Sequence, residues 1–129
     1  MKQYKADDLR SLGYTLENVR ITNVELTMAD YGVLTMKLTL EGYGMGCVYG
    51  GYVLGKGYVG SQEFEGYAKG TEAIMRIMDV IGESEFTKLK GKYARIAYKS
   101  WESGVKIIGN IIKDKWFDYG TFFDEEVSE

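Results

Sequence analysis

Histidine is absent from this chain of 129 residues. Its absence excludes the commonest general base, every Ser-His or Cys-His nucleophile pair and nearly every zinc site. An enzyme with this sequence would have to rely on carboxylates, lysine or tyrosine for acid–base chemistry. We therefore expect a non-enzymatic protein that uses no metal ion or cofactor, with tyrosine or lysine chemistry as the exception.

Proline is also absent, and Cys47 is the only cysteine. The chain therefore has no cis-proline turn and no PxxP segment, and it forms no disulfide within itself. Its hydrophobic runs fall short of the ~20 apolar residues of a membrane span, and its first residues do not resemble a secretory signal. We expect a protein of the reducing cytoplasm that has no membrane partner, with Cys47 buried in a strand.

Acidic residues are distributed unevenly along the chain. The formal net charge is −3, which argues against a general nucleic-acid binder and against duplex DNA as a partner. Asp124 and three glutamates fall in the last six residues, whereas residues 1–123 carry 15 acids against 16 bases. We predict a single globular domain at 1–123 and a disordered acidic tail at 124–129.

Hydrophobic alternation predicts three antiparallel strands in the first half of the chain. The first changes phase at Thr22 and Asn23, which indicates a β-bulge. The second covers 33–40 and the third covers 45–54. A loop is expected at 55–66.

The second half of the chain predicts a main helix and another hairpin. Apolar residues at helical spacing place the helix at 71–81, and Gly82 ends it. Alternation at 93–99 and 105–112 predicts two more strands, and a short helix is expected at 6–12. The result is an α+β domain in which an antiparallel sheet of about five strands, in the order β-β-β-α-β-β, carries one main helix on one face.

Residues 42–60 depart furthest from an average composition, because eight of the nineteen are glycine and four are tyrosine. Glycine allows close backbone approach and positive φ, and tyrosine offers a flat apolar ring with a polar tip. This composition suits a surface that holds a flat polar ligand, and it also suits a bulged, twisted strand. Tyr49 and Tyr52 have opposite parity on a regular strand, so we expect part of the tyrosine set to be exposed. Cross-strand packing is the alternative.

Two glycine-rich segments invite comparison with phosphate-binding motifs. Residues 55–60 match G-x-G-x-x-G but lack the parallel βαβ unit and the acid of a dinucleotide fold. Residues 66–71 have Lys-Gly where a P-loop has Gly-Lys, so we reject the Walker interpretation. The helix that follows still presents free N–H groups and a positive dipole end, where Lys56, Lys69 and Arg76 can hold a phosphate. The alternative is that these are ordinary surface cations.

The candidate ligand-binding set joins these cations to aromatic rings, each worth ~1–3 kcal/mol when a base stacks fully on it. Two further lysines share one face of the segment that follows the last predicted strand, KDKWFDYGTFF, which is aromatic and turn-like. The complete set is Tyr49, Tyr52, Lys56, Tyr58, Tyr67, Lys69, Arg76, Lys113 and Lys115.

Several pieces of the sequence between Val19 and Phe117 carry a family resemblance. They read VELTMADYGVLTMKLTLEG, GMGCVYGGYVL, GTEAIMRIMDVIG, GKYARI and IGNIIKDKWF, of which GGYVL and IIKDKWF are the most distinctive. In these pieces the chain resembles a group of small proteins of unassigned function encoded by bacteriophages and prophages. The resemblance implies a viral accessory protein in the cytoplasm of a bacterial host, and it carries over no catalytic residue. Relatives often have an aspartate after GGY-x-L, where this chain has Gly55 and Lys56.

The hypothesis that follows is a non-enzymatic phage counter-defence protein that binds and sequesters a nucleotide immune signal. Aromatic rings would stack the base, and cations and backbone N–H groups would hold the phosphates. We expect a homo-oligomer, since small binders often complete such pockets between subunits. One alternative is an anti-CRISPR-like inhibitor that binds a host defence protein directly and uses its acidic tail as a nucleic-acid mimic. Another is a single-stranded nucleic-acid binder with steep salt dependence.

Overall fold

A seven-stranded antiparallel sheet organises the protein. The computed structural model describes residues 3–57, 60–100, 102 and 104–124. In chain order the elements are α1 (Ala6–Ser11), β1 (Thr15–Asp30), β2 (Val33–Gly42), β3 (Met45–Gly57), β4 (Phe64–Gly66), α2 (Ala68–Ile81), β5 (Tyr93–Tyr98), β6 (Ile107–Asn110), β7 (Trp116–Asp118) and α3 (Tyr119–Asp124). The strand order across the sheet is β4-β3-β2-β1-β5-β6-β7, and every pair is antiparallel. The predicted α+β class is confirmed.

The predicted number of strands was too low by two. Strand β4 lies in the segment expected to be a loop, and β7 lies in the segment expected to be turn-like. Each has three residues, which is too short for alternation to be visible in the sequence. Strand β3 also runs on past residue 54 to Gly57, because Gly55, Lys56 and Gly57 pair with β4. Glycines carry no hydrophobic pattern, so this extension left no signal.

Register shifts interrupt the pairing of the long strands at several positions. The predicted bulge at Thr22 is confirmed by a register shift between Ile21 and Asn23. A second bulge lies in β3, where Gly50 and Gly51 have φ of 105° and 84°. A Cβ on Gly50 would lie 2.5 Å from the carbonyl oxygen of Met36, so this position requires glycine.

The main helix α2 packs on one face of the sheet. Its buried side is formed by Ala73, Ile77 and Val80, and each buried aliphatic side chain of the size of Ile77 contributes roughly 1.5–3 kcal/mol. Gly82 ends the helix with φ of 87° and donates its N–H to Met78, as the sequence predicted. None of the described helices is long and apolar enough to cross a membrane.

The other two helices lie on opposite faces of the sheet. Helix α3 adds Phe122 to the same core as α2. Helix α1 instead packs Leu9 on the other face, in a second cluster with Ala97, Ile107 and Trp116. The core formed by α2 and α3 includes Tyr49 and Leu54 of β3, so both helices pack near the glycine- and tyrosine-rich residues 42–60.

A candidate binding groove at the start of helix α2

Three residues of the candidate set meet in one groove. The groove has a volume of about 680 Å³ and lies where β3, the end of β4, the first turn of α2 and the end of α3 come together. It contains Tyr52, Tyr67 and Lys69 from that set. The complete lining is Tyr52, Val53, Gly66, Tyr67, Ala68, Lys69, Gly70 and Phe123.

The backbone fixes the start of α2 against β3. The N–H of Tyr67 donates to the carbonyl oxygen of Leu54 at 2.8 Å. Gly70 is buried, and a Cβ on it would lie 2.8 Å from both the carbonyl oxygen of Val53 and the Cα of Leu54. The helix can approach the strand this closely because residue 70 has no side chain.

The first turn of α2 is not capped by a side chain within the described part of the protein. Tyr67 occupies the N-cap position in an extended conformation, with φ of −106° and ψ of 118°. The first N–H groups of a helix have no acceptor inside the helix, and they carry the positive end of its dipole. This end of α2 therefore adds donors and positive potential to the groove.

Lys69 supplies the charge of the groove. Its Nζ atom donates to the carbonyl oxygen of Phe122 at 3.1 Å and lies 3.8 Å from the centroid of the Phe122 ring. An ammonium group has three donors, so this contact leaves others for a ligand. No other described residue of the lining carries a charge, and the groove therefore has a net positive charge.

Tyr52 forms an aromatic wall. Its ring centroid lies 5.3 Å from that of Tyr119 and 5.0 Å from that of Phe123. Its hydroxyl oxygen is buried and has no hydrogen-bond partner among the described residues. Burial, and then the neighbouring Tyr119, raise the pKa of Tyr52 well above its ordinary value, so the hydroxyl remains a protonated donor. An unpaired buried polar group costs about 1–3 kcal/mol.

Tyr49 belongs to the core instead of the groove. It is fully buried, and its hydroxyl donates to the carbonyl oxygen of Lys106 at 3.1 Å. The bulge at Gly50 and Gly51 adds residues to β3, so Tyr49 and Tyr52 both reach Tyr119 despite their opposite parity. Both faces of the Tyr49 ring are covered in this structure, so Tyr49 cannot stack a ligand as expected.

The three cations expected to hold a phosphate are divided between two places. Lys69 and Arg76 both lie over Phe122, with the guanidinium carbon 5.4 Å from the ring centroid. Arg76 is also paired with Glu72 at 2.7 Å. Lys56 instead pairs with Glu65 of β4 at 3.6 Å and lines a different cavity. Of the three expected cations, only Lys69 belongs to the described lining of the groove.

That different cavity, of about 520 Å³, lies at the end of the β1–β2 hairpin. Its lining includes Lys56 together with the carboxylates of Glu63 and Glu65, and the exposed rings of Tyr31 and Phe64. Two acids against one base make it less suitable for an anion than the groove. Tyr58 lies outside the described residues.

Neither of the two C-terminal lysines contacts the groove. Lys115 binds the carboxylate of Asp79 at 2.8 Å and its carbonyl oxygen at 3.2 Å. Lys113 is exposed, and its carbonyl oxygen accepts a hydrogen bond from Arg95. Lys115 therefore lies at the C-terminal half of α2, away from its first turn, and the contact of Lys113 is with β5.

Residues 113–116, with the sequence KDKW, instead connect several elements of the fold. Oδ1 of Asp114 accepts from the N–H of Ala6 and from Nε1 of Trp116, both at 2.7 Å. The Arg95 guanidinium lies 4.6 Å from the Trp116 ring. The segment thus holds α1, β5 and β7 together, which explains its distinctive sequence without a ligand.

The sequence interpretation missed two parts of the groove. Phe123 lies in a segment that resembled a turn, and no pattern indicated that α3 returns to β3. Gly70 was visible as the residue before the predicted helix, but its contact with Val53 depends on the sheet. Glycine just inside a helix start is the one signal that indicates a close approach.

Comparisons with known proteins found no match. No protein-family model matches the chain, no curated protein is significantly similar to it, and no solved structure matches its fold.

Proposed function

We propose that this protein is a non-enzymatic binder that holds a small, planar, anionic ligand in the groove at the start of α2. The observation that carries the proposal is the composition of the groove: aromatic and aliphatic walls, one cation and an uncapped helix N-terminus. Apolar walls with a few placed polar groups are typical of small-molecule sites. The charge of Lys69 selects for an anion.

Each part of such a ligand has a matching contact. A flat ring stacks on the half-exposed Tyr67 or against Val53 and Phe123, and stacking on an aromatic ring is worth ~1–3 kcal/mol. An anionic group binds the Lys69 ammonium and the N–H groups of the first turn of α2. A nucleotide has both features.

The biological form of the proposal is a phage counter-defence protein that sequesters a nucleotide immune signal in the cytoplasm of a bacterial host. The GGYVL and IIKDKWF pieces support the phage origin. Sequestration without turnover is supported by the lack of histidine and by a lining that has no carboxylate to serve as a base. A second subunit that closes the groove is part of the proposal.

The test is a ligand panel with matched variants. The purified protein is mixed with cyclic oligonucleotides and cyclic ADP-ribose isomers, and ligand depletion and thermal shift are measured. A ligand at about 100 times its Kd stabilises the protein by roughly 2.7 kcal/mol and raises Tm by several degrees. Lys69→Gln keeps a donor for the Phe122 carbonyl but removes the charge, so it abolishes the shift.

Lys113→Gln is the matched control, because Lys113 is exposed and lies away from the groove. It should bind as the wild-type protein does. If no member of the panel is depleted and none raises Tm, the sequestration proposal is overturned.

A second candidate function is direct binding of a host defence protein. One observation favours it: Val48 and Val53 are 55% and 40% exposed on strand β3, which is uncharged from Met45 to Gly55. Exposed apolar side chains on a sheet are typical of protein-binding surfaces. Val48→Lys separates the two candidates, because it disrupts protein binding at this surface and leaves the groove intact.

A further inference from the structure

The end of α3 brings an acidic segment to the groove. Phe123 belongs to the lining, and Phe122 accepts the hydrogen bond of Lys69. Asp124 follows directly, and residues 125–129, which lie outside the described residues, have the sequence EEVSE. We propose that this acidic segment docks in the groove and competes there with an anionic ligand for Lys69 and the first turn of α2. The competition rests on the proposed function, whereas the docking does not.

The reach of the segment is sufficient. The Lys69 Nζ atom lies 3.1 Å from the carbonyl oxygen of Phe122, so Glu125 is only three residues along the chain from a direct contact with the cation. Five extended residues span about 17 Å, and the segment begins two residues after Phe123, which lines the groove. The chain is therefore long enough for a glutamate of the segment to reach the Lys69 ammonium group.

The charges are complementary. Lys69 lies 3.8 Å from the centroid of the Phe122 ring, near the place where α3 ends. Arg76 lies over the same ring at 5.4 Å but is paired with Glu72, so Lys69 is the cation that the groove offers to the segment. Residues 125–129 hold three glutamates and no base. The described lining of the groove has no carboxylate to repel them. The cavity at Lys56 has two acids in its lining, so the groove attracts the segment more strongly than that cavity does.

Because the acidic segment is covalently joined to α3, even weak contacts with the groove allow it to compete with a free ligand. A segment joined to the site by a few residues has an effective concentration of about millimolar or higher. The fraction of protein with a free groove then falls, and the apparent affinity for an external anion falls by the same factor. Exposed charges are screened by salt, so this competition weakens at high ionic strength.

The experiment uses the full chain and a variant in which Glu125, Glu126 and Glu129 are replaced by glutamine. The probe is 8-anilinonaphthalene-1-sulfonate, a planar aromatic anion, titrated by fluorescence. The expected result is a roughly three- to tenfold tighter Kd for the variant in low salt, and equal values in 0.5 M NaCl, about the screening limit for such contacts. Replacing Glu17, Glu25 and Glu41 by glutamine changes the net charge equally and should leave the Kd unchanged.

A Lys69→Gln background gives the decisive comparison. The tail substitutions should have a clearly smaller effect on probe affinity there, because only the first turn of α2 then remains to bind the segment. Docking can also be measured without any ligand, from the amide ¹H–¹⁵N chemical shifts of Gly66, Ala68 and Gly70. These should shift when the three glutamates are neutralised, and changes confined to 120–124 together with an unchanged Kd overturn the proposal.

The two proposals fail in distinguishable ways. If the amides of Gly66, Ala68 and Gly70 respond to the tail but no nucleotide binds, the docking stands and the sequestration proposal fails. If a nucleotide binds in the groove but the tail substitutions change neither its affinity nor those amides, the docking is overturned alone.

Discussion

Gly70 lies directly against Val53. A Cβ on Gly70 would be 2.8 Å from the Val53 carbonyl oxygen, which is closer than carbon and oxygen atoms can approach without displacement. The groove exists because helix α2 begins at this contact, with Tyr67 and Lys69 on one side and Tyr52 on the other. Its shape therefore depends on a residue that has no side chain.

The first prediction follows from that contact. Gly70→Ala should destabilise the protein by about 1–3 kcal/mol through overpacking, although alanine favours a helix over glycine by ~1 kcal/mol. Urea denaturation measures the change. Gly66→Ala is the control, because a Cβ there meets nothing within 4 Å, and a loss equal to that of Gly70→Ala would contradict the close contact.

A second prediction concerns the bulge in β3. Gly50→Ala should cost at least about 2 kcal/mol, since a non-glycine residue at φ of 105° is strained by ~1–3 kcal/mol and its Cβ also meets the Met36 carbonyl oxygen. Gly46→Ala lies in the same strand, and its Cβ would sit at an ordinary 3.6 Å from the nearest atom. Equal stabilities of the two variants would show that the bulge is not required.

The hydroxyl groups of two neighbouring tyrosines give a third prediction. Tyr49→Phe loses the hydrogen bond to the Lys106 carbonyl oxygen and should cost about 0.5–1.5 kcal/mol. Tyr52→Phe removes a hydroxyl that has no partner in the described structure, so stability should stay the same or rise. Thermal denaturation compares them. If Tyr52→Phe is as destabilised as Tyr49→Phe, the Tyr52 hydroxyl is satisfied in the folded protein.

A fourth prediction is a pH dependence at Asp114. The indole of Trp116, and then the N–H of Ala6, hold the pKa of this carboxyl below its ordinary value of 3.8. A carboxyl whose pKa is lowered by folding stabilises the folded protein at pH values above 3.8. This contribution to the free energy of unfolding is lost as the pH falls through the lowered pKa. The wild-type protein should therefore have a higher Tm than Asp114→Asn at pH 7.

The difference in Tm between the wild-type protein and Asp114→Asn should shrink as the pH falls below 3.8. Asp7→Asn provides the control, because Asp7 is exposed and bonds only to Arg10 among the described contacts. A difference for Asp114→Asn that is constant from pH 7 to pH 3 would show that the Asp114 contacts do not favour the ionised form.

The sequence predicted the parts of the fold that repeat over many residues. The alternation of β1 and β2, the phase change at Thr22 and the apolar face of α2 were each visible over a long segment. The glycine pair at 50 and 51 was visible only as composition, because the sequence does not show which glycine takes positive φ. That pair turns Tyr52 to the same side of β3 as Tyr49, so the parity argument is wrong for these two residues, although Tyr43 of the same segment is fully exposed.

The candidate site was predictable only in part, for a related reason. Lys69 and Arg76 are seven residues apart on one helix, so helical geometry predicts that they lie on the same face of α2. It does not predict that Phe122 of α3 is the residue they share. Lys56 was expected beside them because it is near in sequence. Strand β4 instead places Glu65 opposite Lys56, and a strand of three residues gives no periodic signal.

The most direct test of the central claim is an amide ¹H–¹⁵N titration of the full chain with the panel of cyclic nucleotides. The account predicts that at least one ligand shifts the resonances of Gly66, Ala68, Gly70 and Phe123 in a saturable way, and that Lys69→Gln abolishes these shifts. Saturable shifts at the Lys56 cavity instead, or no response of residues 66–70 to any nucleotide, would contradict it.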